Sequence, residues 1–130
     1  ALGVSPSYVG KNRMDYLVEL DSEEALIALQ PNLGLLMTFP HRGVIVTSPA
    51  SSPEYDFVSR FFAPQVGIGE DPVTGSAHCC LGPYWRSRLG RDEFVAYQAS
   101  ARGGVVRVRL HGDRVFLGGQ AVTVLRGELL

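Results

Sequence analysis

From Pro72 to Trp85 the sequence carries no Asp, Glu, Lys or Arg, although 19% of the chain as a whole is charged. The stretch opens with turn and cap residues (Thr74, Gly75, Ser76) and continues Ala77-His78-Cys79-Cys80-Leu81. A helix that is apolar around most of its circumference is a buried helix. The pattern therefore predicts a helix over Gly75 to Arg86, buried on most sides and surrounded by whatever the rest of the chain forms. Arg86 and Arg88 mark its return to solvent and suit a helix C-terminus. Pro83 cannot donate to the preceding turn, so a kink near Cys79 to Pro83 or an early change of direction is expected.

The rest of the chain reads as strands. Fifteen glycines and eight prolines cut it into short segments, and Gly and Pro are the strongest local punctuation. Tyr16 to Leu20 alternates like a half-buried strand. Asp21 then reads as a helix N-cap with Glu24 in capping-box position, opening a short helix through Leu29 that Pro31 and Gly34 end. Leu35–Phe39, Val44–Thr47 and Tyr55–Phe62 are rich in β-branched or aromatic residues. Phe94–Ala99, Val105–Leu110, Arg114–Leu117 and Ala121–Leu125 follow, separated by glycine-bearing turns. Val105, Arg107 and Arg109 share a wet face of their strand, and Val106, Val108 and Leu110 a dry one. The expected fold class is α+β: one domain over residues 1–130, a run of antiparallel hairpins whose sheet wraps around a central α-helix.

At 130 residues the chain is long enough to bury a core without disulfides or metal. The formal net charge is −1 and the cations are scattered, which argues against nucleic acid as a partner. No apolar run is long enough for a membrane helix, and cytoplasmic is the expected location. Cys79 and Cys80 are adjacent, so a mutual disulfide would be strained. His78-Cys79-Cys80 invites a metal reading, yet consecutive helical positions diverge by roughly 100° and cannot close on one ion. Neither metal nor organic cofactor is expected. The opening Ala1-Leu2-Gly3-Val4 reads as the continuation of something upstream.

The densest run of special residues is Gly67-Ile68-Gly69-Glu70-Asp71-Pro72-Val73-Thr74-Gly75-Ser76-Ala77-His78. It reads as a strand or loop, a tight turn, and the first turn of the buried helix. Amides at a helix start have no intrahelical partner and lie at the positive end of the macrodipole. Gly75 lets a ligand approach that backbone and Ser76 adds a hydroxyl, so Thr74, Gly75, Ser76 and Ala77 form a candidate seat for a carboxylate or phosphate. Pro72 holds Asp71 beside it, an arrangement for handling protons on a small acid. Ordinary helix capping is the competing reading, and the leading one on these residues alone.

Glu70-Asp71-Pro72-Val73-Thr74-Gly75-Ser76-Ala77-His78-Cys79, followed by Pro83-Tyr84-Trp85, closely resembles the hallmark motif of the PhzF-like (phenazine biosynthesis isomerase-like) family. Ser59-Arg60-Phe61-Phe62-Ala63-Pro64 before it, and Gln98, Ser100, Arg102-Gly103-Gly104, Asp113-Arg114-Val115 and Gly119 to Val124 after it, keep the family order. The resemblance is strong from Tyr55 onward and loose before Ala50. It implies a diaminopimelate epimerase-like fold: two related domains, each an antiparallel β-barrel wrapped around a central α-helix, with the active site between them and this chain as the carboxyl-terminal half. It also implies isomerase or epimerase chemistry on a small carboxylate-bearing metabolite. Asp71 stands where epimerase relatives carry a cysteine acid/base, and Ser76 where a serine holds the substrate carboxylate. The principal acid/base, a glutamate, and a substrate-contacting histidine belong to the other domain. Glu19, Glu23, Glu24 and Glu54 have no family-like surroundings, and His41 lies in the wrong half. The implied partner is thus the missing amino-terminal domain or a second copy, covering an exposed apolar face, and the isolated chain is expected to be inactive.

His78 reads as a packed, hydrogen-bonded histidine rather than a second base. Cys80, Leu81, Tyr84 and Trp85 read as core. Arg60 reads as one member of a surface ion pair, with the cleft as its alternative. Gly103-Gly104 and Gly118-Gly119 read as turn and bulge positions. The competing functional class is a non-catalytic binding or interaction module that keeps the seat without the base.

Overall fold

The computed structural model describes residues 1–129, with seven strands side by side in chain order. They are β1 (Tyr8–Lys11), β2 (Asp15–Glu19), β3 (Gly43–Pro49), β4 (Phe57–Phe62), β5 (Glu93–Gln98), β6 (Gly104–His111) and β7 (Arg114–Gly118). Three helices accompany them: α1 (Glu23–Ile27), α2 (Leu33–Leu36) and α3 (Gly75–Leu89). The fold is mixed α+β, as expected. None of the helices is long and apolar enough to cross a membrane.

β3 and β4 lie in the middle of the sheet and are buried on both faces. On one face Ile45, Phe57 and Phe61 join Ala77, Leu81 and Trp85 of α3 in a single cluster. On the other, Val44, Val46, Val58 and Phe62 pack with Leu26, Leu29 and Leu36 around α1 and α2. Strands covered on both faces read as continuous apolar runs rather than alternations, which describes Gly43-Val44-Ile45-Val46 and Phe57-Val58. β6 does alternate: Val106, Val108 and Leu110 are buried, while Val105, Arg107 and Arg109 are exposed. Each fully buried large apolar side chain contributes roughly 1.5–3 kcal/mol.

Four expectations are corrected. The ladder is not uniformly antiparallel: β2–β3 and β4–β5 are parallel. Parallel neighbours need a long crossover, and the two crossovers are the segments that hold α1 with α2, and α3. The sheet is also open among the described residues, with β1 and β7 at its edges, so no closed barrel is formed. Leu35–Phe39 is not a strand. Asn32 caps α2, its Oδ1 accepting from Leu35 N at 2.9 Å, and Gly34 lies inside the helix instead of ending the one before. Ala121–Leu125 is not in a strand either; Val122 and Val124 are 84% and 89% exposed.

Helix α3 forms where expected but is buried on one side rather than most. Ala77, His78, Leu81, Gly82 and Trp85 are buried, whereas Gly75, Cys79, Pro83 and Arg86 are exposed. From Gly75 to Pro83 its outer face is uncharged because it carries Gly, Cys and Pro, and a lack of charge is not burial. Pro83 lies within the continuous helix on that outer face, where solvent can hydrate the carbonyl that its missing N–H leaves free. Gly82 meets the sheet closely: an added Cβ would come within 3.0 Å of Val108.

Smaller shifts have local causes. The cap of α1 is Ser22, not Asp21; its Oγ accepts from Ala25 N at 3.2 Å, and the helix stops at Ile27. β1 carries no apolar alternation that would mark it as a strand, its residues being largely exposed along a sheet edge. At the far end of α3 the Tyr84 hydroxyl donates to Glu19 at 2.5 Å, tying the helix to β2. Burial and that carboxylate push the Tyr84 hydroxyl well above its ordinary range.

Candidate active site at the amino end of α3

The strand β4 ends at Phe62 and the chain turns through Pro64–Val66 and Gly67. Gly67 has φ +80°, a left-handed conformation that glycine adopts at little cost. Ala63 and Ile68 bridge the two sides of this turn, and Asp71 N donates back to Phe61 O at 3.0 Å. The chain thereby delivers Asp71 to the start of α3.

The segment from Asp71 to Thr74 is braced from β5. Gln98, fully buried, accepts from Thr74 N at 2.7 Å and donates from Nε2 to Asp71 O at 2.7 Å and to Thr74 Oγ1 at 3.1 Å. Ser100 Oγ donates to Pro72 O at 2.8 Å and accepts from Gly103 N at 3.0 Å. Gly104 lies against Val73 so tightly that a Cβ there would stand 2.3 Å from Val73 Cγ2. Glycine is therefore required at 104 to bring β6 against the loop.

These bonds decide the direction of one proton. Thr74 Oγ1 already accepts from Gln98, so its own hydrogen goes to Asp71 Oδ2, with which it forms a short hydrogen bond. Thr74 occupies the N-cap position of α3, yet its side chain makes no capping bond to that helix. The hydroxyl that ordinary capping would use is committed to Asp71, which weakens the capping reading of this motif.

Ser76, one residue into the helix, has a partner that the sequence did not reveal. Arg42 Nη2 donates to Ser76 Oγ at 2.9 Å. The same guanidinium is held in a fork by Asp15, with Nε to Oδ1 at 2.9 Å and Nη2 to Oδ2 at 2.6 Å. Asp15 is fully buried at the start of β2, and Arg42 stacks over Phe61 with its Cζ 5.4 Å from the ring centre. Its hydrogen bond to the Asp15 carboxylate raises the Arg42 pKa above its ordinary value. Arginine has only donors, so Ser76 Oγ is the acceptor in that bond and its own hydrogen is free to point elsewhere. No signal in the sequence links Arg42 to Ser76, because 34 positions separate them; only the parallel pairing of β2 with β3 places Arg42 beside Asp15.

Asp71, Thr74, Gly75, Ser76 and Ala77 are thus gathered at one helix end, as expected, together with Arg42. Asp71 and Ser76 are half-buried, Thr74 and Ala77 buried, and Gly75 exposed. An added Cβ at Gly75 would meet nothing nearer than Leu117 at 3.6 Å, so no protein contact demands glycine there. An open groove of about 740 Å³ adjoins, lined by Val73, Gly75, Arg102, Gly104, Leu117 and Gln120 among others; Asp71 and Ser76 do not line it. Arg60 is not part of this cluster. It forks onto Glu70 at 2.8 and 3.0 Å and donates to the carbonyls of Leu26, Ile27 and Leu29 at the end of α1, a more buried role than a surface ion pair. His78 is fully buried and hydrogen-bonded to Thr74 O, as expected of a packed histidine. No group of three or more His, Cys, Asp or Glu side chains is gathered for a metal among the described residues.

The chain resembles known proteins along nearly its whole length. It is 64% identical over 129 residues to an uncharacterized isomerase of Halalkalibacterium halodurans, a match covering 99% of this chain and 49% of that protein. An uncharacterized isomerase of Pseudomonas aeruginosa is 51% identical over the same shares of the two chains. A crystal structure of a phenazine biosynthesis protein of the PhzF family from Enterococcus faecalis superposes with a TM-score of 0.87 at 41% identity, covering 92% of this chain and 45% of that one. The chain therefore spans about half the length of the curated relatives it matches. Residues 5–127 match the phenazine biosynthesis-like protein family, PhzC-PhzF, and the chain belongs to that family.

Proposed function

We propose that this chain supplies one side of an active site for isomerase- or epimerase-type proton shifts on a small carboxylate-bearing metabolite. Asp71 is the group that exchanges a proton with the substrate. The Ser76 hydroxyl and the first-turn amides of Gly75, Ser76 and Ala77 seat its carboxylate, with the Arg42 charge behind them. The complementary acid/base group comes from outside these residues, in an amino-terminal half or a second copy. The relatives with isomerase names, about twice as long as this chain, support that division.

The observation that carries the reading is the bond from Arg42 to Ser76 Oγ at 2.9 Å. It occupies one acceptor site of Ser76 Oγ and leaves the hydroxyl hydrogen free to donate to a ligand, with the guanidinium that Asp15 holds in a fork directly behind that donor. Donors converging on a helix start favour an anion, and charge-assisted bonds are the strong ones. Next to that anion stands Asp71, a carboxylate positioned by Thr74 for proton transfer. No cofactor is needed for such a shift when the carbon is already acidified by its neighbours.

The test is a titration of the 130-residue chain with benzoate and with glutamate, followed by amide NMR. Shifts concentrated at Gly75, Ser76 and Ala77, lost in Ser76→Ala and weakened ten-fold or more in Arg42→Met, are expected; hydrogen bonds to a charged group are worth roughly 1.5–3 kcal/mol. Responding amides elsewhere in the chain would place the seat elsewhere.

A further inference from the structure

Thr47, Ser59 and Gln98 stand next to one another across three strands, Thr47 opposite Ser59 and Ser59 opposite Gln98. Their exposures are 0%, 1% and 0%. They make a buried polar row across three neighbouring strands, on the face that also carries Phe57 and Ala96 beneath α3. At one end Thr47 Oγ1 accepts from Trp85 Nε1 at 3.0 Å. At the other, Gln98 holds Thr74 at the start of the helix. The middle member, Ser59, has no hydrogen-bond partner for its buried Oγ.

On the helix, the residue between those two ends is His78, four positions after Thr74 and seven before Trp85. It is fully buried and lies over Phe57, ring centres 6.2 Å apart. Phe57 is two residues from Ser59 on the same face of β4, so the imidazole and the Ser59 hydroxyl occupy the same stretch of the interface. His78 Nδ1 stands 2.8 Å from Thr74 O. A carbonyl only accepts, so Nδ1 carries the hydrogen and Nε2 presents a lone pair. Nε2 is buried and, like Ser59 Oγ, has no partner among the protein's own groups. One orphan requires a donor and the other has a proton to give, and the large majority of buried polar groups in proteins have a partner, protein or water.

We propose that Ser59 and His78 form a buried positioning pair, joined through one internal water, that fixes Thr74 and through it the carboxylate of Asp71. Internal waters occupy such polar sites between otherwise unsatisfied groups. The order of donation is then complete: Ser59 Oγ–H to water, water to His78 Nε2, His78 Nδ1–H to Thr74 O, and Thr74 Oγ1–H to Asp71 Oδ2. With Gln98 on its N–H and Oγ1, Thr74 has every polar atom held. His78 remains neutral, because burial disfavours the imidazolium. In this scheme it is a positioning residue that never meets substrate, and the scheme rests on the reading of Asp71 as the proton-handling group.

The experiment is side-chain nitrogen NMR on the isotopically labelled 130-residue chain, with Ser59→Ala and Ser59→Thr beside it. The expected wild-type result is the neutral Nδ1–H tautomer of His78 together with a magnetisation-transfer signal from a long-lived water to its ring. Ser59→Ala should abolish the water signal and speed exchange of the Thr74 amide at least ten-fold, and Ser59→Thr, which keeps the hydroxyl, should restore both. An Nε2–H tautomer, or a Ser59→Ala chain with the water signal and Thr74 exchange unchanged, overturns the proposal. These readouts do not involve turnover. Should Asp71→Asn leave turnover of a two-half enzyme intact, the functional reading falls while the Ser59–His78 link stands or falls by its own spectra.

Discussion

Replacing Gln98 by Leu removes a polar side chain that is fully buried and satisfies three groups of the site loop. Leucine fills nearly the same volume, so the perturbation is one of hydrogen bonding rather than of cavity formation. Three intramolecular bonds at about 1 kcal/mol each are lost. Thr74 N–H is also left buried without an acceptor, at a further cost of roughly 1–3 kcal/mol. Asp71 is half-buried, so its carbonyl can recruit solvent and adds little. The apolar gain from leucine returns about 1–2 kcal/mol, leaving a net destabilisation of about 2–5 kcal/mol. Trp85, the sole tryptophan, is buried against Phe57 with ring centres 5.3 Å apart, so its fluorescence reports unfolding directly. With a urea slope of roughly 2 kcal/mol per molar, the midpoint should fall by about 1–2.5 M. The reasoning is refuted by a Gln98→Leu midpoint within about 0.3 M of wild type, a difference too small for three buried partners.

Two further outcomes follow from the packing beneath α3. Leu81 is fully buried between helix and sheet, so Leu81→Ala should cost about 2–5 kcal/mol in the same urea assay; a loss under about 1 kcal/mol would mean that α3 does not dock as described. The buried imidazole of His78 has its pKa lowered in the folded chain. Below about pH 6.5 the unfolded chain therefore takes up a proton that the folded chain refuses. Stability should fall as pH drops from about 6.5 toward 5, by up to about 1.4 kcal/mol per unit, and His78→Gln should flatten that slope. An unchanged slope in the variant would show that another group is responsible.

How far the sequence disclosed this molecule depended on whether a signal was local. The site motif was readable because Asp71, Thr74, Gly75, Ser76 and Ala77 lie within one turn and one helix start. The wet and dry faces of β6 were readable because alternation is a property of one strand. The parallel pairings were not, since strand direction is set by what the crossovers pack against. Asn32 was a cap signal overshadowed by Gly34, whose presence suggested a terminator. The run of Gly, Cys and Pro on the outer face of α3 suppressed the polar pattern by which an exposed face is usually recognised. Arg42 was hidden for a different reason: its importance comes from a fork with Asp15 and a bond to Ser76, and neither partner is near it in sequence. Gln98 belongs to the family order, but its grip on Thr74 exists only because β4 and β5 run parallel beneath α3.

The central claim, that Asp71 is one half of a two-part proton-transfer site, is tested most directly by deuterium exchange. The 130-residue chain, the chain joined to the amino-terminal half of a relative, and the same joined protein with Asp71→Asn would each be incubated in deuterated buffer with an anthranilate-type or amino-acid-type acid, and the label in the substrate followed by mass spectrometry. A positioned acid/base group typically contributes about a hundred- to ten-thousand-fold. The account predicts incorporation by the joined protein alone, reduced by at least a hundred-fold in Asp71→Asn. Clear incorporation by the 130-residue chain on its own, abolished by Asp71→Ala, would contradict it.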